Sequence, residues 1–230
     1  MLPLTAEIPK CLVPLGGKPL LDRELAALQA AGIGETLVVH GYRAERLAAH
    51  VATLPELGRP LLRYNPFWSV SGSIGSVWIA REAFAGPFLL ANGDTVFSGA
   101  LLADALTRAA SGVNLLVEHC PIPEADDMRV QIQGDRVRAV GKRLPAETAR
   151  HRSLGIVICR DADGGGYRSF LDRVIAEDNG CLKYHHDVLD RMAREARVTP
   201  LLIESREWLE VDTPADVARW RETGGIADGR

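Results

Sequence analysis

Apolar positions in the first half of the chain recur with two periods that alternate. Residues 20–31 put Leu21, Leu25 and Leu28 on one helical face and stop at Gly32, the pattern of an amphipathic helix with a glycine end. A buried strand follows at 36–40 and a second helix at 44–52. Residues 60–64 read as a short strand, 75–85 as a third helix, and 87–91 as a strand that runs into polar Asn92, Gly93 and Asp94. A helix at 99–110 and a strand at 114–120 continue the series. Such alternation predicts a parallel sheet covered on both faces. The rhythm then changes. Two alternating runs, 128–132 and 136–140, flank Gln133, Gly134 and Asp135, which predicts a hairpin. A strand at 154–159, a glycine loop at 164–166, helices at 167–177 and 182–196, strands at 198–203 and 208–211, and a closing helix at 214–223 complete the reading. The expected architecture is α/β, a doubly wound mixed sheet with an antiparallel insertion over a cleft. No internal repeat or low-complexity segment interrupts it.

Composition narrows the class without naming a function. A chain of 230 residues fits one α/β domain, or one with a small appendage, and 47% hydrophobic with 25% charged residues can bury a full core. A formal net charge of -3 gives no electrostatic reason to expect nucleic acid or an anionic membrane as partner. No apolar run approaches the roughly 20 residues that span a bilayer. The first residues have neither a basic flank nor an apolar core, so no signal peptide is expected. Cys11, Cys120, Cys159 and Cys181 lie far apart without a CxxC pair, which reads as core thiols in a reducing cytosol. The expected location is cytoplasmic.

Ligands of open α/β sheets sit outside the carboxyl ends of the strands. Asp94 follows the apolar run 88–91 and is a natural oxygen ligand for Mg²⁺; it also suits a turn or a helix cap. Asp212 ends the run 208–211 before Thr213 and Pro214, where either it or Thr213 could cap the last helix. Two carboxylates at two strand ends could hold a cation between them and polarise a triphosphate. Lys10, beside Pro9, reads as a phosphate clamp or a solvated charge, and Lys142 admits the same two readings. The segment from Ser71 to Ser76 fits neither the Walker pattern nor GxGxxG; it is a ligand-binding helix start or an ordinary N-cap. His185, His186 and Asp187 are adjacent and diverge by about 100° per residue on a helix, so they do not converge on one ion. No GxSxG hydrolase signature is present.

The segment from Leu4 to Leu20, LTAEIPKCLVPLGGKPL, resembles the PLTxxxPKxLxxxxGKPLL segment of the nucleotidyltransferase superfamily that makes NDP-sugars and CDP-alcohols. The resemblance continues through Gly41–Tyr42–Arg43, Asn65–Pro66, Ser76, Asn92–Gly93–Asp94 and Glu210–Val211–Asp212–Thr213. With Asp127–Met128–Arg129–Val130, Gly141–Lys142 and Ser153–Leu154–Gly155–Ile156 it is most similar to the bacterial phosphocholine cytidylyltransferase group and its phosphonate and inositol phosphate relatives. The resemblance implies a Rossmann-like, nucleotide-diphospho-sugar transferase-like fold over residues 1–230, with about 114–160 as an antiparallel acceptor-side insertion. It implies Mg²⁺ as cofactor, Asp94 and Asp212 as its ligands, and Lys10 as the phosphate-contacting lysine. Ser76, Asn92 and Gly93 map near the nucleotide. Lys142, Tyr184, Trp208 and Asp127 map to the acceptor side, where the two aromatics could hold a cationic head group by cation–π contact or simply pack in the core.

Two departures accompany the resemblance. The family places a strand and a glycine-rich LAAGxGxR loop before the PLT segment, so the chain is expected to be shortened at its N-terminus, by a misplaced start codon or otherwise. The group often carries an acidic residue just before Ser153, where this chain has Arg150, His151 and Arg152. The expected activity is transfer of an NMP, with CTP the favoured donor, to a small phosphorylated or phosphonylated acceptor such as phosphocholine, an aminoalkylphosphonate or a sugar phosphate. A homodimer is compatible with it. The alternative is a non-catalytic nucleotide- or metabolite-binding paralogue that has lost the phosphate loop.

Overall fold

The computed structural model describes residues 1–204 and 207–222. Its strands and helices follow in the order β1 (Pro14–Leu15), β2 (Lys18–Pro19), α1 (Leu20–Ala30), β3 (Leu37–His40), α2 (Ala44–Thr53), β4 (Leu61–Tyr64), α3 (Ser73–Ile79), β5 (Phe88–Ala91), β6 (Thr95–Phe97) and α4 (Gly99–Arg108). There follow β7 (Val113–His119), β8 (Arg129–Gln133), β9 (Arg136–Val140), β10 (His151–Cys159), α5 (Tyr167–Ile175), α6 (His185–Arg194), β11 (Val198–Leu202), β12 (Trp208–Glu210) and α7 (Pro214–Glu222). The chain forms two compact units: Met1–Pro66 with Asn92–Thr107 and Ser205–Arg230, and Phe67–Ala91 with Arg108–Glu204.

In the first unit β3 and β4 pair in parallel, Leu37 opposite Leu61 through His40 opposite Tyr64, with α2 as the crossover. Leu21 of α1 packs with Leu47 and Val51 of α2, over Val38 and Leu62 of the strands. The β1–β2 hairpin turns at Gly16 and Gly17, whose φ values of 56° and 84° are costly for side-chain-bearing residues. Arg23 of α1 donates to the Leu15 carbonyl from Nε at 3.0 Å and Nη2 at 2.7 Å, which ties the hairpin to the helix. A second apolar cluster joins Leu15 and Leu20 to Val96, Val211, Val217 and Trp220. It brings the middle and the end of the chain onto its beginning.

The second unit is built on a six-stranded sheet in the order β11-β7-β10-β8-β9, with β5 also on β10. Along one edge β10 pairs with β7; along the other it pairs first with β8 and then with β5. The β7 register shifts between Ser153 and Val157, around Gly155 at φ 72°, so a bulge sits where β10 changes partner. Ile74, Phe84, Tyr167, Phe170 and Leu189 pack with Leu115 and Val157 of the sheet in one buried core.

The expected hairpin is present: β8 and β9 run antiparallel, with Gly134 at φ 63° in the turn. The expected mixed sheet is present too. Among the described residues parallel pairing is confined to β3–β4 and β7–β11, whose connections contain helices, and the remaining ladders are antiparallel. The fold is mixed α/β. The predicted helix at 75–85 ends instead at Ile79 and continues as a 3₁₀ segment, Arg81–Ala85, which delivers Phe84 against Phe88 and Tyr167 at ring-centroid distances of 4.8 and 4.9 Å. The predicted helix at 182–196 is a 3₁₀ turn, Gly180–Leu182, followed by α6. Asp187 accepts from the Tyr184 N–H at 2.8 Å and starts the helix there. Among the described residues no helix is long and apolar enough to cross a membrane.

Candidate active site

The site in the first unit is assembled by β6 and β12. They pair antiparallel with Trp208 opposite Phe97, Leu209 opposite Val96 and Glu210 opposite Thr95. The ladder is extended when the Val211 N–H donates to the Asp94 carbonyl at 2.9 Å. This three-residue ladder makes Asp94 and Asp212 neighbours although they stand 118 positions apart in the chain. Thr213 and Asp216 settle which residue caps α7. Asp216 Oδ2 accepts from the N–H groups of Asp212 and Thr213 at 3.1 and 2.8 Å and from the Thr213 hydroxyl at 2.8 Å, and the Asp216 N–H donates back to Thr213 Oγ1 at 3.3 Å. The helix end is satisfied without the Asp212 carboxylate, which is left for the site.

Lys10 lies in a 3₁₀ turn, Lys10–Leu12, entered from buried Pro9. Its Nζ donates to Asp94 Oδ2 at 2.8 Å and to Asp212 Oδ1 at 2.5 Å. Burial disfavours the ammonium, but the two carboxylates outweigh that, and the Lys10 pKa is raised. Carboxylate oxygens of Asp94, Glu210 and Asp212 all lie within 4.8 Å of one another. Asp94 Oδ1 is buried without a hydrogen-bond partner. A set of three carboxylates with one orphaned oxygen suits a hard, oxygen-seeking cation. Half-buried Asn92 and exposed Gly93 lie on the turn that leads into Asp94.

Behind this group stands Glu24 of α1, only 7% exposed. Burial, and then the nearby Asp94 carboxylate, push its pKa well above the usual carboxylate range, although Lys10 and a hydrogen bond from the Thr95 backbone act the other way. Its Oε1 and the Thr95 hydroxyl are both buried and unpartnered. The N-terminal segment is held over this unit by Tyr42, whose hydroxyl donates to the Ala6 carbonyl at 2.6 Å.

The remaining sequence candidates lie in the second unit, apart from Trp208. Lys142 pairs with Asp126, and its Nζ sits 4.9 Å from the centroid of the Tyr184 ring, which is 47% exposed. Asp127 is buried and accepts from Arg152 Nη1 at 2.9 Å and the Glu124 N–H at 2.6 Å, while Arg152 Nε donates to Glu118 at 2.7 Å. Asp127 therefore braces the 120–127 turn. Ser76 is half-buried in α3. Trp208 is 8% exposed on β12. His186 Nε2 lies 3.0 Å from Ser153 Oγ, which also accepts from the Gly155 N–H at 2.9 Å, so the serine hydroxyl donates to a neutral imidazole. Burial, then His185 and Lys142, hold the His186 pKa well below its ordinary value.

Sequence reasoning missed Glu210 as a third carboxylate and Glu24 as a buried one. Both had a signal. Glu210 and Asp212 are two apart at a strand end and so share a face, and Glu24 interrupts the apolar stripe of α1 between Leu20 and Leu28.

The mixed α/β architecture, with carboxylates and a lysine gathered beyond its strand ends, is that of the nucleotide-diphospho-sugar transferase fold. The fold matches the inositol-1-phosphate CTP transferase from T. maritima with a TM-score of 0.79 at 17% identity, over 98% of this chain and 90% of that one. It matches the CTP:phosphocholine cytidylyltransferase from Streptococcus pneumoniae with a TM-score of 0.77 at 17% identity, over 97% and 92%. Residues 5–131 match the MobA-like NTP transferase domain, and the chain belongs to that family. The bifunctional IPC transferase and DIPP synthase of Thermococcus kodakarensis is 26% identical over 215 residues, which are 93% of this chain and 46% of that protein. The chain spans about half the length of the curated relatives it matches first.

Proposed function

We propose that this protein transfers a nucleoside monophosphate, CMP from CTP in the favoured case, to a small phosphorylated or phosphonylated acceptor, with Mg²⁺ as cofactor. The observation that carries this reading is the convergence of Lys10, Asp94 and Asp212, with Nζ–O distances of 2.8 and 2.5 Å, in a chain of the NTP transferase family. The acceptor oxygen is already anionic, so bond formation needs alignment and charge neutralisation rather than proton removal. A new P–O bond to the α-phosphorus forms as the bond to the bridging oxygen breaks, and pyrophosphate leaves with that electron pair.

Asp94, Asp212 and Glu210 would hold the metal, whose contribution is to polarise the triphosphate and offset its charge. Lys10 would contact the phosphates. On the acceptor side, Lys142 would meet the acceptor phosphate, and exposed Tyr184 is better disposed than buried Trp208 to meet a head group. CTP is favoured because the two solved structures named above are a CTP transferase and a cytidylyltransferase. The four free thiols fit a cytosolic protein.

The test is a turnover panel that pairs CTP, UTP, GTP and TTP with phosphocholine, aminoethylphosphonate and sugar phosphates. Pyrophosphate release should require Mg²⁺, stop on chelation and be fastest with CTP. No release with any pair, from a folded protein that binds nucleotide, would point to the non-catalytic reading instead.

A further inference from the structure

We infer that Lys10 is an internal counter-ion of the carboxylate cluster, and that its displacement couples entry of a divalent cation to entry of the triphosphate. The inference rests on the functional reading above and concerns how the same site is loaded.

The Lys10 ammonium is bonded to Asp94 Oδ2 and Asp212 Oδ1 at once, so it takes the place between two oxygens that a shared cation would bridge. A magnesium ion draws its oxygens to about 2.0–2.1 Å, whereas an ammonium–carboxylate bond settles near 2.7–2.9 Å. Both cations cannot bridge the same oxygen pair, because each would then lie within a few ångströms of the other's charge in a half-buried site. The cluster nonetheless retains a strong call for a second cation. Asp94 Oδ1 is buried with no hydrogen-bond partner, and a Glu210 carboxylate oxygen lies within 4.8 Å of those of Asp94 and Asp212.

Metal entry therefore requires Lys10 to release its carboxylates. The released ammonium has three donors and no acceptor, and burial works against its charge, so it needs another anion within the reach of its four-carbon stem. A triphosphate is such an anion. Bare metal must expel Lys10 with nothing to receive it, and bare triphosphate must recruit Lys10 from two carboxylates left uncompensated. Arriving together, each removes the other's cost. The coupling is reciprocal by linkage, and metal alone should bind weakly.

The test uses Mn²⁺ as probe, without acceptor, and reads free Mn²⁺ by electron paramagnetic resonance. Lys10→Met removes the charge but keeps the length of the side chain. It should bind Mn²⁺ alone roughly 5- to 150-fold more tightly than the wild type, the usual span of coupling between two ligands, and CTP should improve that affinity less. Lys10→Arg keeps a cation and should bind Mn²⁺ alone as weakly as the wild type. Circular dichroism establishes that each variant is folded. In the wild type labelled with ¹⁵N-lysine, the Lys10 Nζ resonance, assigned by its loss in Lys10→Arg, should move on adding Mg²⁺ with CTP. A folded Lys10→Met that binds Mn²⁺ no more tightly than the wild type would overturn the inference. So would a Lys10 resonance unmoved at saturating Mg²⁺ and CTP, which keeps the idea testable if Lys10→Met does not fold. The failure of the functional reading looks different: no pyrophosphate release by the wild type, with the Mn²⁺ comparison still to be read.

Discussion

Asp94 and Asp212 present the same residue type in two settings, and the setting decides what each can do. Asp94 has one oxygen on Lys10 and one buried without a partner, whereas Asp212 is exposed and its backbone N–H is held by Asp216. Asp94→Asn and Asp212→Asn each remove a negative charge with little change in shape. Each should lower pyrophosphate release by about a hundredfold or more at saturating Mg²⁺, with the melting temperature little changed. Equal activity in either variant would remove that residue from the reaction.

Glu24 makes a separate prediction that needs no substrate. Its pKa is raised in the folded protein, so the native state holds its proton over a range where the unfolded chain has released it. Stability from this group is therefore full below the unfolded pKa of about 4.3 and declines as pH rises from there toward the folded pKa. Glu24→Gln keeps an oxygen for the Thr95 N–H and cannot ionise. Urea titrations at a series of pH values should show the variant gaining on the wild type from about pH 4.3 upward, to a plateau. A difference independent of pH would mean that Glu24 does not titrate in this way.

At the scale of elements, α7 matters because its first turn orients the residue before it. Asp216 gathers the N–H groups of Asp212 and Thr213 and the Thr213 hydroxyl on one oxygen. Asp216→Ala should cost about 1–2 kcal/mol by chemical denaturation, as lost caps do, and should also raise the Mg²⁺ concentration needed for half-maximal turnover. A loss of stability with unchanged Mg²⁺ dependence would show that Asp212 keeps its place without the cap. Gly72 is required for a different reason. Its φ of −73° is ordinary, but an added Cβ would stand 2.2 Å from the Lys183 carbonyl oxygen and 2.6 Å from that of Leu182. Gly72→Ala should therefore destabilise by about 1–3 kcal/mol through overpacking, read as a lower denaturation midpoint.

At the scale of the molecule, the two units are stabilised by different kinds of ladder. The second has a six-stranded sheet in which β10 is paired on both edges and runs through a buried core. The first relies on two-stranded ladders, β1–β2, β3–β4 and β6–β12, with smaller apolar clusters. Local opening follows such differences, since weakly paired elements expose their amides more readily. Hydrogen exchange should be slowest in β7 and β10 and faster in β6 and β12, where the site is built. Binding of nucleotide with metal should slow exchange most in β6 and β12. Uniform protection across all strands would contradict this ordering.

The sequence by itself determined most of the elements and the identities of the charged groups. Periodicity located α1, α2, α4, α5 and the β8–β9 hairpin, because those segments bury one continuous face and local spacing records that directly. Motif resemblance singled out Lys10, Asp94 and Asp212. It did not separate a ligand from a helix cap at Asp212, since both uses fit Asp–Thr–Pro; the hydrogen bonds from Thr213 to Asp216 separate them, and they depend on helix geometry. Strand direction was also undecided locally. Val, Leu and Ile runs look alike in parallel and antiparallel ladders, and the pairing of β10 with β5, β7 and β8 depends on partners far along the chain. The three residues of β6 are too few for any period to show. Only when β12 folds back onto them do Glu210 and Asp212 come within reach of Asp94, because a ladder's register is a contact between distant segments and local sequence does not encode it.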